Sequence, residues 1–434
     1  MPDAPRPADD RKHTLRVAAL SVLATVVVGL LVLNFATGEQ RIEEQIPTTY
    51  GIDEGQFRRE MGALLGPPIV GGNAVTALDN GDEIFPAMLA AIEGAERTVT
   101  FETYIYWSGT VGGQFADALA RKARQGVRVH VLVDWAGALK MDDGTLDEMA
   151  AAGVEVEQYR PLAWYRLDRM NSRTHRKLLV VDGRVGFTGG VGIADVWAGD
   201  AQGPEHWRDN HFRVEGPVVA QMQAAFLDNW IQTTGDVLNG PAYFPALDSV
   251  GTVAAHTFTS SAEGGSDSMR LMYLMALASS RASIDLASAY FVPDDIMIRA
   301  LVAARERGVR VRVLVPGPHI DSDLVRISSK KVWGDLLAAG AEISVYQPTM
   351  LHTKMLVVDR QMVSVGSTNF DVRSFELNDE ASLNLYDPAF AARMAATFER
   401  DWADGEPYTL AMWQDRPWRE RLAETVLLPL KSQL

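Results

Sequence analysis

The chain has 434 residues, 47% apolar and 22% charged, more than one hydrophobic core ordinarily serves, so two domains are expected. It has no cysteine, which excludes disulfides, thiolate metal sites and thiol catalysis. A formal net charge of −15 argues against a generalist nucleic-acid binder, which needs a basic surface to neutralise phosphates.

In chain order, the first element is Val17 to Ala36, VAALSVLATVVVGLLVLNFA. It is uncharged and matches the roughly 20 residues needed to cross a bilayer core of about 30 Å. Arg6, Arg11, Lys12 and Arg16 precede it, whereas Arg41 follows amid Glu39, Glu43 and Glu44. The positive-inside bias therefore puts residues 1–16 in the cytoplasm and the bulk of the chain outside it. A cleaved signal peptide is the alternative, but the apolar run exceeds the usual h-region of about 7–15 residues and lacks a good A-x-A site.

Residues 37–75 read as a polar connector ending in GPPIVGGN. A first domain is expected over 76–245. It has an amphipathic helix near Asp82–Gly94, an apolar run TVTFETYIYW, a helix through FADALARKARQG and a strand VRVHVLVDW. Strand-helix-strand alternation predicts an α/β sheet with parallel strands. The same order returns over 246–434, where SIDLASAYFVPDD precedes a helical IRALVAARERG and the strand VRVRVLVPG. GPVVAQMQAAFLDNW and DPAFAARMAATFERDW also correspond. A period of about 180 residues is a duplicated domain, not a solenoid, whose units run about 20–50 residues. The pattern breaks at NGPAYFPALDSVG, which marks the boundary.

Each half contains H-x-K-x-x-x-x-D: THRKLLVVDG from Thr174 and LHTKMLVVDR from Leu351. Composition alone predicts on the order of 0.01 copies, so the pair requires a cause. LLVV and MLVV are runs of buried strands, and alternation points His175 and Lys177 to one face, as it does His352 and Lys354. Asp182 and Asp359 fall where the strands should end. GFTGG and SVGSTN follow as a short strand and a glycine turn that lets backbone approach closely. Lys177, Lys354, Ser367, Asn369 and backbone amides suit a phosphate, while histidine attacks or donates protons.

One histidine cannot be nucleophile and leaving-group acid at the same moment. Two halves facing across a pseudo-two-fold supply both: one attacks phosphorus to give a phosphohistidine, the other protonates the leaving alkoxide and then deprotonates the acceptor. No metal or other cofactor is required, because two lysines neutralise the charge. Each imidazole also needs a carboxylate to hold its tautomer. Glu380 is the candidate in the second half, and aligning EASLNLYDP with DNHFRVEGP gives Asp209 in the first. His206 and His211 read as structural, and Tyr104, Tyr106 and Trp107 as core or pocket wall. The tail WRERLAETVLLPLKSQL is amphipathic and fits either a bilayer surface or packing on the domain.

At these residues the chain resembles the phospholipase D superfamily, and more narrowly bacterial cardiolipin synthases of the phospholipase D type. NSRTHRKLLVVDG, HWRDNHFRVEGP, AYFVPDD and LHTKMLVVD…GSTNFDVRSFELNDE carry the resemblance, which runs from about Asn73 to the C-terminus. It implies two duplicated α/β/α sandwich domains with pseudo-two-fold symmetry after one transmembrane helix, and metal-free phosphatidyl transfer in two steps. It implies His175 as nucleophile and His352 as general acid/base, with the reverse order open, and Lys177, Lys354 and Asn369 on the phosphate. Asp182 and Asp359, though part of the catalytic signature, are expected as partners at the strand ends. One departure stands out: Gly192 occupies the place where the family often has an asparagine. The expected function is a single-pass enzyme of the bacterial inner membrane, its catalytic domains outside the cytoplasm. It would transfer a phosphatidyl group from phosphatidylglycerol to an alcohol, with phospholipids and the membrane as partners and no nucleic acid or metal. A hydrolytic phospholipase D is the alternative, and a nuclease of the same superfamily a weaker third.

Overall fold

In a computed structural model that describes residues 8–35, 42, 44–47, 49–162, 171–261 and 268–427, the two halves are copies of one α/β unit. The first contributes β1 (Val70–Asp79), β2 (Thr98–Thr103), β3 (Arg128–Asp134), β4 (Glu155–Tyr159), β5 (Leu178–Val181), β6 (Val185–Gly189) and β7 (Asn210–Glu215). The second contributes β8 (Val253–Ser260), β9 (Ser283–Ser288), β10 (Phe291–Val292), β11 (Arg310–Pro316), β12 (Glu342–Tyr346), β13 (Lys354–Val358), β14 (Met362–Gly366), β15 (Phe370–Asp371), β16 (Glu380–Tyr386) and β17 (Gly405–Tyr408). From the centre outwards one half runs β1-β7-β6-β5-β2-β3-β4 and the other β8-β16-β14-β13-β9-β11-β12-β17. Antiparallel pairing of β1 with β8 joins them into one 15-stranded sheet. Seven strands repeat in the same order, and the second half adds β17 at its outer edge.

β2, β3 and β4 are parallel, as are β9, β11 and β12. Parallel neighbours need crossovers, and the helices Thr110–Arg124, Asp143–Ala151, Asp295–Glu306 and Asp323–Ala338 supply them. Each forms an outer layer over its own apolar cluster. A third cluster lies between the halves. The apolar stripes of Val219–Thr234 (Val219, Met222) and Pro388–Ala403 (Phe390, Met394, Phe398) enter it together, and Phe212 meets Phe390 at 6.3 Å. Burying this layer fixes how the halves face each other, and hence the site.

The expected connector 37–75 is more than a connector. It holds the helix Gly55–Leu64 and the first residues of β1. Phe57 and Met61, four apart and therefore on one helical face, are fully buried in the second half's core, where Phe57 meets Tyr386 at 6.3 Å. The helix Ala8–Phe35 contains, at Lys12–Leu30, the one span among the described residues long and apolar enough to cross a membrane; it is exposed throughout. Ala36, the last residue expected in that span, lies outside the described residues. In the tail, Trp418–Leu427 packs on Asp323–Ala338, with Lys330–Glu420 and Arg416–Glu424 ion pairs at 2.7 and 2.8 Å. Its outer face leaves Trp418, Leu422 and Val426 exposed, and 428–434 lie outside the described residues.

Candidate active site

His175 and Lys177 lead into β5, and His352 and Lys354 open β13. Each motif is anchored by the opposite half. The His175 amide donates to the Asp379 carbonyl at 2.9 Å, and the His352 amide to the Arg208 carbonyl at 2.7 Å. Isolated bridges Thr174–Asp379 and Arg208–Leu351 complete this exchange. The result is a single cleft of about 270 Å³ that both imidazoles line, together with Lys177 and Asn369. Lys354 stands directly behind His352, its Nζ 2.7 Å from the His352 carbonyl and 3.1 Å from the ring. Tyr104 packs edge-on against His175, and Trp197 edge-on against His352 with Trp207 tilted beside it, each at 5.3 Å between ring centroids.

Each of the two expected carboxylates lies beside the other half's histidine. His175 Nδ1 lies 3.0 Å from Glu380, and His352 Nδ1 lies 2.7 Å from Asp209. The pairing within each half that the alignment implied is thus corrected: the halves meet at the motif, so the near carboxylate comes across the two-fold.

The two carboxylates are supported differently. Glu380 also accepts from the Ser374 hydroxyl at 2.8 Å, from the Asn378 amide at 3.3 Å and from the Ser367 hydroxyl. Ser367, expected on the phosphate, is therefore turned away from the cleft and buttresses Glu380. The equivalent position in β6's turn is Gly190, where a Cβ would come within 2.2 Å of Asp209. Trp197 takes over the donor role there, its indole N–H reaching Asp209 at 3.1 Å. Trp197 also explains Gly192: a Cβ at that position would meet Trp197 at 3.1 Å and Ile105 at 2.9 Å, so no asparagine fits. Asn369 remains the one turn amide, buried, with its Oδ1 lacking a hydrogen-bond partner among the described residues.

Burial dominates the electrostatics. It pushes His175 down to about 4 and His352 well below the usual histidine value, helped by the two lysine charges. Lys177 falls to about 7 and Lys354 to about 8 for the same reason. Burial would raise Glu380, but His175, Lys177 and the Ser367 hydroxyl override it and hold the carboxyl below its ordinary range. Asp209 has weaker support, and burial lifts it to about 6. Burial thus disfavours charge on lysine and imidazole, and an anion bound in the cleft would favour their protonated forms.

Asp182 and Asp359 lie outside the cleft, at the far strand ends, roughly 17 Å beyond the lysines at ~3.3 Å per residue. Both sit at positive φ (54° and 52°), and each carboxylate accepts from three successive backbone amides: Glu96 to Thr98 and Arg281 to Ser283. They tie β5 to β2 and β13 to β9. His206 caps the Ala198 carbonyl at 2.6 Å, and His211 is buried in β7, where the Asp209 and Lys177 charges reach it; neither lines the cleft. Tyr106 is buried with its hydroxyl on the Gly112 carbonyl, and Trp107 donates to the Gly137 carbonyl; of these three aromatics, Tyr104 alone lines the cleft. Sequence reasoning missed the cleft residues Arg173, Arg373, Tyr290 and Trp197. Arg373 was within reach, inside the quoted NFDVRSFELNDE, whereas nothing local marks Trp197. Among the described residues no cluster of three or more His, Asp or Glu is arranged to hold a metal.

A family model described as the phospholipase D-like domain of cardiolipin synthase matches residues 88–230 and 273–402. The chain is 34% identical to cardiolipin synthase from Geobacillus kaustophilus over 83% of its own length and 72% of the relative's. It is 33% identical to cardiolipin synthase 1 from Bacillus anthracis over 83% and 73%. Among solved structures, phosphatidylserine synthase of Haemophilus influenzae shares the fold with a TM-score of 0.67 at 13% identity, covering 88% of this chain and all of that one.

Proposed function

Because the chain belongs to the phospholipase D-like cardiolipin synthase family and is a phosphatidyltransferase of that type, we propose that it transfers the phosphatidyl group of phosphatidylglycerol to an alcohol acceptor through a phosphohistidine. The observation that carries this reading is the single cleft lined by both imidazoles, each held by a carboxylate from the other half.

His175 is the nucleophile, because its Nδ1 faces Glu380, the carboxyl held below its ordinary range and hence the better anion. Neutral at pH 7, it donates Nδ1–H to Glu380 and attacks phosphorus through Nε2. Lys177, Lys354 and Asn369 hold the phosphate oxygens, and the developing negative charge is neutralised by lysine. The anionic diester also raises His352, so that it enters protonated. As the P–N bond forms, the P–O bond to glycerol breaks and His352 gives its proton to the departing oxygen. The acceptor hydroxyl then returns a proton to His352 and attacks phosphorus, breaking the P–N bond and freeing His175.

The N-terminal helix anchors the enzyme in a bacterial inner membrane in a single pass, with the N-terminus cytoplasmic and the catalytic halves outside. A reporter fused to the C-terminus tests this, and a cytoplasmic signal would overturn it. The reaction is tested by incubating the purified protein in liposomes with labelled phosphatidylglycerol. Cardiolipin plus glycerol is expected; phosphatidic acid alone would make the enzyme a hydrolase, and cleavage of DNA without lipid turnover a nuclease. His175→Ala and His352→Ala are each expected to abolish turnover, and EDTA to leave it intact.

A further inference from the structure

A second cavity, of about 250 Å³, lies in the second half at the carboxyl ends of β11 and β12. Its walls are apolar: Phe291, Val315, Val325, Trp333, Tyr408 and Met412. Of its polar lining, Arg326 pairs with Asp323 and Glu406 is exposed, both at the solvent side, while the inner polar groups are engaged by protein. Ser329 accepts from the Trp333 indole at 3.0 Å, Gln347 donates to the Val345 carbonyl at 2.7 Å, and Lys330 pairs with Glu420. A cavity of this kind favours a hydrocarbon over water.

Its position supplies the occupant. One strand of wall separates it from the catalytic cleft. Ala289 and Phe291 line the apolar cavity while Tyr290 between them lines the cleft, and Ile320 faces one while Asp321 faces the other. The Tyr290 hydroxyl donates to Asp321 at 2.8 Å, closing the partition. The mouth is greasy as well: Met412 lines the pocket yet is half exposed, and Leu324, beside Val325, is exposed too. Leu139 and Leu162, which follow β3 and β4 in the first half, are also exposed.

We propose that this cavity takes one acyl chain of the phospholipid whose phosphate occupies the catalytic cleft, an inference that rests on the phosphatidyl-transfer reading above. Lifting a headgroup out of the bilayer far enough to reach two buried imidazoles drags methylenes toward water. Each methylene so exposed costs about fourfold in the association constant. An apolar pocket beside the cleft removes that cost, and it makes the enzyme sensitive to chain length.

Two measurements test this on the full-length protein in liposomes. In the first, phosphatidylglycerol with a diazirine in one acyl chain is photolysed and the labelled peptides mapped. Labels are expected between Gly317 and Trp333 or between Gly405 and Met412, and labelling confined to the N-terminal helix would overturn the proposal. This readout needs no turnover, so it stands even if phosphatidyl transfer itself fails. In the second, Ser329→Phe fills the cavity from the helix side and Met412→Trp narrows it from the exposed mouth, the latter guarding against a core-packing artefact. The ratio of kcat/KM for long-chain over six-carbon-chain phosphatidylglycerol is expected to fall more than tenfold in both. An unchanged ratio, with both substrates affected alike or not at all, would refute an acyl site. If the unaltered protein converts neither substrate, the transfer reading fails instead, and the labelling map alone decides the pocket.

Discussion

Replacing Glu380 by glutamine keeps the shape of the side chain and the Ser367 and Ser374 hydroxyls around it, but removes the charge facing His175. The carboxylate is 3.0 Å from Nδ1, which places the charge centres of carboxylate and phosphorylated imidazole about 4 Å apart. At an effective dielectric of about 20, such a pair is worth about 4 kcal/mol. That interaction exists only once the ring gains charge, so it is lost from the transition state and not from substrate binding. Glu380→Gln is therefore expected to lower kcat by about 10³-fold with KM little changed. Initial rates of labelled cardiolipin formation in liposomes measure this. Acid-quenched phosphoenzyme separates the steps: Glu380→Gln should form it slowly, whereas Asp209→Asn should form it and then accumulate it, because the acceptor is deprotonated poorly. A loss below tenfold, or one carried by KM, would refute the electrostatic argument. The opposite pattern in the quench would assign the nucleophile to His352.

Ser367→Ala removes one donor from Glu380, so its carboxyl rises toward the ordinary range and less of it is ionised at low pH. The acid limb of the kcat profile should shift upward, with the loss appearing as pH falls to about 4.3, the ordinary carboxylate value, and little change at pH 6 or above; an unshifted limb would contradict the buttress role. Lys177 and Lys354 are depressed to about 7 and about 8, so the positive charge of the cleft is full only well below pH 7 and is lost as pH rises through both values. Tungstate, a dianion over this range, should bind at least tenfold more weakly at pH 9 than at pH 6.5 by calorimetry, and a flat profile would place the anion elsewhere. Asp182→Asn keeps a residue that tolerates positive φ but weakens three charge-assisted hydrogen bonds, worth about 1.5–3 kcal/mol each before partial replacement by the amide. Thermal unfolding should show a Tm several degrees lower, before any change in KM; an unchanged Tm with lost turnover would return Asp182 to the chemistry.

Much of this was legible in the residues because it is local. Continuous apolar runs gave β5 and β13, and their repetition about 180 residues apart gave the duplication. A twenty-residue uncharged stretch gave the N-terminal helix long and apolar enough to cross a membrane. Spacing within one strand also placed His175 with Lys177 and His352 with Lys354, since period two is a property of the backbone. Glu380 and Asp209 were legible as candidates, but which of them stands behind which histidine was out of reach of such reasoning. Glu380 is 205 positions from His175, and their contact exists only because the shared apolar layer around Phe212 and Phe390 sets the two halves face to face. The same holds for Ser367, whose hydroxyl turns inward to Glu380, and for Trp197, which fills the space above Gly192. A strand's own period says which side chains share a face. Which carboxylate, indole or apolar pocket that face meets depends on packing between segments remote in sequence, and only the tertiary structure decided it.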